Sequence, residues 1–291
     1  MIGLILAKIF GQCYYIYKRL SHKNLPGLGR ALDLIKSEHI LEVGGKKFFF
    51  DPRVGRAYGL MIIGKWNEPE THTFLKHVVA GITGKVNFVD VGASIGEFVI
   101  DMAACSKVGS VVGFEPQPES AEAIRKSCSV NGFANLRVIQ KIITDIPKDL
   151  YFLENERSPT ASHPVSSNFQ NLKEYQRFIK ISGTTLDEEL AGLQGDTIVL
   201  LDIEGGEHLA LKGGLGFIRR SKPLLIFEYN SASRESFDLN MVRNLLGPDY
   251  SIYRLRADGR VDSNETNTWN MVAVEKSSIF FNSVTALRHD S

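Results

Sequence analysis

Two periodicities alternate along the chain. Over residues 2–20 the apolar side chains Ile2, Ile5, Leu6, Ile9, Cys13, Ile16, Tyr17 and Leu20 recur at helical spacing, while Lys8, Gln12, Tyr15 and Arg19 fall opposite, which predicts an amphipathic helix. After Pro26, Gly27 and Gly29 the pattern shortens to two runs over 40–51 that meet at Gly44-Gly45, the signature of a hairpin, and 55–64 reads as a loop or further strand. Glu70 and Pro69 open a helix over 70–80 with an acid at its positive end. From residue 86 the chain alternates apolar, β-branched runs with helical segments. Strands are predicted over 86–90, 109–115, 136–139, 197–202 and 224–227. Helices are predicted from Ile95 to Ala103, over 118–130 with Ala121, Ile124 and Cys128 turned inward, from Glu207 to Arg219, and over 234–246. The runs 250–255 and 270–274 close the pattern as an antiparallel pair around Asp258-Gly259. Such an order belongs to the α/β class: a Rossmann-like, doubly wound, mostly parallel sheet of seven strands with helices on both faces, preceded by a helix and hairpin extension. The implied division is 1–65 for the extension, 66–280 for the domain and 281–291 for a tail.

Composition narrows the classes. With 291 residues, 43% of them apolar, the chain can bury a full core, and a net charge of +1 without a basic stripe gives no reason to expect nucleic acid as a partner. Cys13, Cys105 and Cys128 have neither metal-ligand spacing nor a disulfide framework and read as reduced thiols of a cytoplasmic protein. The first helix is too short in its apolar run to span a bilayer, and it has no charged start or cleavage site of a signal peptide. Two readings stand side by side for it: peripheral contact with the inner face of a membrane through residues 1–20, with Lys8, Lys18 and Arg19 near head groups, or packing on the domain. Residues 154–172, rich in Ser, Asn and Pro, read as a lid or insertion, and the lone His163 within them reads as solvated. No oligomeric state follows from the sequence.

Candidate chemistry gathers at the first strand-turn-helix. Val-Asp-Val-Gly-Ala-Ser-Ile-Gly (89–96) looks at first like a nucleotide-binding turn, but counting from Gly92 the second and third fingerprint glycines are Ser94 and Glu97. A diphosphate would meet Asp90, Glu97 and Asp101 where it needs bare amides, so the site prefers a cation. S-adenosylmethionine carries a sulfonium and an ammonium and no phosphate; Asp90 suits its positive end, Gly92 allows close backbone approach, and Glu115, about 25 residues on at the second strand's end, suits the ribose hydroxyls.

The same residues carry a resemblance. Together with Gly-Phe-Glu-Pro (113–116), Thr-Thr-Leu-Asp-Glu-Glu-Leu (184–190), Leu-Asp-Ile-Glu-Gly-Gly-Glu (201–207), Leu-Lys-Gly-Gly (211–214) and Pro-Leu-Leu-Ile-Phe-Glu (223–228), the turn resembles the FkbM family of S-adenosylmethionine-dependent methyltransferases over about residues 68–230. The chain departs from the family pattern at Ser94, where Asn is usual, and at Leu200, where Lys is usual. The resemblance implies a class I methyltransferase fold. It also implies transfer of a methyl group to a hydroxyl of a sugar, glycolipid or polyketide-like acceptor, a small molecule or glycan. A cofactor-binding or scaffold protein that lacks turnover, signalled by Leu200, is the alternative. The cofactor set becomes Asp90, Gly92, Ala93, Ser94, Gly96, Glu115 and Pro116, joined by Glu68 from the Glu-Pro segment above the sulfonium and by Asp145, where family members hold adenine. Asp202, Glu204 and His208 are the candidate proton acceptors, drawn from a pool that includes Glu207 and Glu228; Glu207 is read first as a structural acid. The acids at adjacent strand ends, with Asn230, are also donor chemistry for a divalent cation, but the reading assigns no metal.

Overall fold

The computed structural model describes residues 2–21, 27–155, 163–165, 176–265 and 270–289. The chain opens with α1 (Ile2–Ser21) and the short α2 (Leu28–Leu32), then the hairpin β1 (His39–Val43) and β2 (Lys46–Phe50) about Gly44-Gly45. Where the sequence predicted a loop or strand, Pro52–Ile63 forms a 3-10 segment. Asp51 and Pro52 account for the difference: the Asp51 carboxylate caps the Arg53 amide at 2.9 Å, and Pro52 has its φ pre-set for a first helical turn.

The domain follows as α3 (Pro69–Gly81), β3 (Val86–Val91), α4 (Glu97–Ala103), β4 (Val108–Phe114), α5 (Pro118–Asn131) and β5 (Leu136–Ile139). Next come β6 (Ile142–Ile143), β7 (Asp149–Asn155), β8 (His163–Val165) and β9 (Gln176–Thr184), which join in a second sheet in the order β6-β9-β7-β8. The backbone of His163 thus lies in a strand. Most of the expected loop over 154–172 falls outside the described residues. The chain continues with α6 (Leu186–Glu189), β10 (Thr197–Leu201), α7 (Glu207–Lys212), α8 (Leu215–Ser221), β11 (Leu224–Glu228), α9 (Ser231–Ser236), α10 (Leu239–Leu246), β12 (Tyr250–Leu255), β13 (Val261–Asp262), β14 (Asn270–Glu275) and α11 (Phe281–Thr285).

The main sheet runs β13-β12-β14-β11-β10-β3-β4-β5, parallel from β5 to β11 and antiparallel beyond. It contains the seven predicted strands' worth of architecture plus the two-residue β13 at the edge. Both faces are covered, as a parallel sheet requires. Phe88, Ile198, Leu200, Leu224 and Ile226 enter one core with the hairpin residues Phe48 and Phe50, whereas Val89, Val91, Val199, Leu201, Leu225 and Phe227 enter the other with Leu211 and Phe217. The extension therefore shares the domain's core. The tail does not trail either: Phe280 and Val284 are buried, and the His289 amide donates to the Val261 carbonyl at 2.8 Å.

Two predicted helices are broken. The segment from Glu207 to Arg219 parts at Gly213-Gly214, where a Cβ on Gly213 would lie 2.1 Å from the Thr144 carbonyl oxygen. The segment over 234–246 parts before Asp238, whose side chain caps the Asn240 amide at 2.6 Å and starts α10 afresh. Helix α1 packs on the 3-10 segment and α2, but through Ala7 and Gly11. The apolar face seen in the sequence points outward.

Candidate active site

Strand register assembles the site. Leu200 of β10 pairs with Asp90 of β3 and with Ile226 of β11; Leu201 pairs with Phe227, so Asp202, one residue further, comes level with Glu228, which pairs with Asn270 of β14. Side chains two apart share a face of a strand. Asp90, Glu228 and Asn270 accordingly continue the face that carries Phe88, Ile226 and Val272, and Asp202 prolongs β10 beside them. That face is covered by α3, whose N-cap residue is Glu68. The Glu68 Oε2 accepts from the Thr71 hydroxyl at 3.1 Å and from the Asn270 side-chain amide at 2.9 Å.

Four carboxyl groups thus meet at the carboxyl ends of β3, β10 and β11 and the start of α3. None of Glu68, Asp90, Asp202 and Glu228 makes an ion pair among the described residues. The Asp90 Oδ2 and Glu228 Oε2 are buried without any hydrogen-bond partner. Burial, then the neighbouring Asp202 and Glu68, push the Asp90 carboxyl well above its usual range. Burial and Asp202 raise Glu68 to about 8, burial and Glu204 raise Asp202 to about 7, and burial and Asp202 raise Glu228 to about 10. The interaction between the Glu228 and Asp202 side chains raises Glu228 and lowers Asp202. Buried charge of one sign is costly unless a counter-ion arrives.

The turn after β3 borders this cluster. The amides of Gly92 and Ala93 donate to the Phe114 carbonyl, each at 2.9 Å, and Gly96 caps α4 at a φ of +88°. Glu115 is held by two amides, Ser94 N–H on Oε2 and Gln117 N–H on Oε1, both at 2.7 Å, which tie the ends of β3 and β4 together; Pro116 follows half-buried. Ser94 at a φ of 50° and Glu204 at 53° are left-handed without being glycine, a strain that gathers at working loops. Asn, the usual family residue at Ser94, tolerates that conformation better.

A sequence profile of the Methyltransferase FkbM domain matches residues 90–255, more than half of the chain. The chain belongs to this family. No curated protein matches. Among solved structures, a methyltransferase FkbM from Methylobacillus flagellatus KT is similar at 16% identity and a TM-score of 0.45, over 77% of this chain and 55% of that one; this chain thus spans about half its length. M. jannaschii TYW2 in complex with AdoMet is similar at 14% identity and a TM-score of 0.43, over 87% and 88%. An rRNA methylase from Streptococcus thermophilus is similar at 14% identity and a TM-score of 0.41, over 73% and 99%.

The family is one of methyltransferases, and the residues present fit S-adenosylmethionine as the cofactor. A row of buried and half-buried carboxyl groups, with an orphaned Asp90 oxygen and no partner cation among the described residues, suits a ligand with two positive groups. Leu200, where the family usually carries Lys, is buried beside Asp90 in the register and supplies no charge. Gly92 has a reason beyond ligand approach: at a φ of +92°, its Cβ would lie 2.0 Å from the Asp202 carbonyl oxygen. The turn after β3 and the loop after β10 touch only because residue 92 has no side chain.

The other candidates divide. Glu204 is half-buried beside Asp202, raised by burial and then by Glu207. Glu207 serves its own loop, accepting from the Ile203 amide at 3.0 Å and the Gly205 amide at 3.3 Å. Asn230 likewise caps, accepting from the Ser233 amide at 3.0 Å. The structure gives Asp145 to Lys212 at 2.9 Å, which holds its carboxyl below the usual range. His208 stacks on Phe237 at 6.1 Å and is lowered by burial and by Lys212. Tyr229, directly after β11, is buried, with Arg234 over its ring at 4.3 Å; its hydroxyl accepts from the Leu239 amide at 3.1 Å. Among the described residues no group of three His, Cys, Asp or Glu side chains is arranged to hold a metal ion.

Sequence reasoning missed the supports of Glu68. Asn270 reaches it from the last strand, 202 positions away. Below it lies a buried relay. His72 bonds Asp101 through Nδ1 at 2.7 Å and Glu97 through Nε2 at 3.2 Å, Lys46 of the hairpin pairs with Asp101, and Glu97 accepts from the Asn67 backbone and side-chain amides at 2.8 and 2.7 Å. The imidazole is stacked between Trp66 at 4.0 Å and Phe98 at 4.6 Å. Burial alone would lower the His72 pKa, but the bonds to Asp101 and Glu97 outweigh it and raise it; burial likewise works against Asp101, yet His72 and Lys46 hold that carboxyl down at about 2. Acids in the first turns of α3 and α4 were the only signal available.

Proposed function

We propose that the protein is an O-methyltransferase acting on a hydroxyl of a sugar, glycolipid or polyketide-like acceptor, in the cytoplasm or at the inner face of a membrane. The single observation that carries this reading is the row of carboxyl groups Glu68, Asp90, Asp202 and Glu228 beside the turn at Gly92, Asp90 and Glu228 buried and Glu68 and Asp202 half-buried, with no ion pair to any of them among the described residues. When bound, S-adenosylmethionine supplies a methyl carbon already activated by its sulfonium. Asp90 and Glu68 face its positive groups, Gly92, Ala93, Ser94, Gly96 and Pro116 line its approach, and Glu115, pre-set by two amides, takes the ribose. Asp145 at the rim toward adenine completes the assignment.

For the acceptor, the protein has to hold an oxygen in line and take a proton. Alignment supplies most of the rate, roughly 7 to 11 kcal/mol, against about 10² to 10⁴ in rate from a base. Asp202 at about 7 is matched to accept a proton near neutral pH, and the protonated Glu228 behind it orients that carboxyl. Glu204 and His208 are the remaining proton acceptors of the assignment. A second reading, cofactor binding with no turnover, is favoured by Leu200 alone, which leaves Asp90 without the family's cation.

Transfer from methyl-labelled S-adenosylmethionine to a panel of glycan, glycolipid and polyketide-type hydroxyl acceptors tests this, alongside cofactor titration. Asp202→Asn or Glu204→Gln is expected to abolish transfer with the affinity for the demethylated, uncharged-sulfur product little changed. Full transfer by both variants overturns the base assignment, and cofactor binding with no transfer to any acceptor supports the second reading.

A further inference from the structure

Helix α1 presents an apolar face to solvent. Seven large apolar side chains on it, Ile2, Ile5, Leu6, Ile9, Ile16, Tyr17 and Leu20, are 40% to 78% exposed. At 100° per residue they span about 120° of the helix surface. Fifteen large apolar residues are exposed among the described residues, so nearly half of them sit on this one face. The helix cannot roll to hide them. Its opposite side packs through small residues: a Cβ on Gly3 would lie 2.0 Å from the Leu34 carbonyl oxygen, Ala7 is fully buried, and a Cβ on Gly11 would lie 2.9 Å from Ile63. Any larger side chain there would push α1 off the domain, so its rotation is set.

Charge indicates what covers the face. Residues 1–32 contain five cations, Lys8, Lys18, Arg19, Lys23 and Arg30, and no acid, although the whole chain is nearly neutral at +1. Lys8 and Arg19, expected from the sequence to lie opposite the apolar stripe, are exposed and, at 100° per residue, flank one of its edges, and Lys65 lies over the Tyr15 ring on the same side at 5.5 Å. A second copy docked through this face would bring these like charges together. A 20-residue helix also offers only about 300 Å² of face, roughly 30 Å by 10 Å, against the roughly 800 Å² per partner of a stable interface. An apolar stripe edged by cations matches a bilayer surface with anionic head groups, where the stripe enters the acyl boundary and the cations stay at the phosphates.

We propose that the outward face of α1 docks the protein on an anionic membrane surface, lying in the plane of the interface and not crossing it. Among the described residues no helix is long and apolar enough to cross a membrane. This surface is independent of the methyl-transfer reading, since the stripe and its cations lie outside the carboxylate site.

The test is cosedimentation of the full chain with vesicles of phosphatidylcholine alone or mixed with phosphatidylglycerol, with light scattering for the oligomeric state and cofactor titration as the control for folding. Wild type is expected to bind the mixed vesicles, to bind neutral ones weakly, and to be released by salt. Ile9→Glu with Ile16→Glu, both on the solvent side of the helix, is expected to weaken vesicle binding by at least about tenfold with cofactor affinity unchanged. Lys8→Glu with Arg19→Glu is expected to remove the preference for anionic vesicles. No vesicle binding by wild type, or equal binding by the Ile9→Glu/Ile16→Glu protein, overturns the proposal. So does a dimer that those substitutions break in the absence of vesicle binding.

Discussion

Raising the pH from about 6 to about 8.5 is expected to favour S-adenosylmethionine over S-adenosylhomocysteine at the site. The two ligands share an adenosine and an amino acid whose amino group titrates near 8. They differ by a methyl group and a permanent positive charge, so the ratio of their dissociation constants isolates the effect of that charge. In the free protein Asp202 titrates at about 7 and Glu68 at about 8, each raised first by burial and then by a neighbouring acid, Glu204 for Asp202 and Asp202 for Glu68. A cation placed beside them favours the ionised forms and expels the protons they hold. Each proton released changes the ratio by tenfold per pH unit, or about 1.4 kcal/mol. Because the two acids titrate as a pair, a gain of about ten- to a hundredfold is expected across the window, flattening above about 8. Stability of the free protein moves the other way. Acids whose folded values are raised contribute least instability below their unfolded values near 4, and they destabilise increasingly as pH rises to about 7 and 8. The cofactor's increment in Tm therefore grows over the same interval. Titration calorimetry in two buffers of different ionisation enthalpy measures both the ratio and the protons released. A flat ratio with no proton release would refute the placement of the sulfonium among these carboxyl groups.

Two further outcomes follow from the supporting contacts. Gly92→Ala places a Cβ 2.0 Å from the Asp202 carbonyl oxygen at a φ of +92°, and chemical denaturation is expected to show a loss of about 3 kcal/mol or more; unchanged stability would mean that the two loops are not in contact. His72→Phe keeps the stack between Trp66 and Phe98 but leaves Glu97 and Asp101 without their imidazole, for an expected loss of about 3 kcal/mol. Since the His72 value is raised, its contribution is complete below about 6.5 and disappears as pH rises through the folded value; a pH-independent difference between wild type and variant in thermal melts would contradict the relay.

The sequence by itself determined what local chemistry writes into it. The β-branched runs at Val86–Val91 and Thr197–Leu201, the helix starts at Pro69 and Pro118, and the hairpin turn at Gly44-Gly45 are set by side chains within a few residues of each other. The acids Asp90 and Glu115 were legible for the same reason: in an α/β sheet, a charged residue that ends an apolar run lies at a strand's carboxyl end, where ligands bind. Tertiary structure alone decided the rest. The amide of Asn270 reaches Glu68 only because β14 pairs with β11 in one register, and the close contact of Gly92 with Asp202 exists only because β3 and β10 are neighbours. The raised pKa of Glu228 is a consequence of burying it against Asp202, which no local pattern reports. The apolar stripe of α1 was visible as a periodicity, but periodicity does not say which side of a helix meets the protein. Gly3, Ala7 and Gly11 settled that, because a close approach of two backbones admits only small side chains.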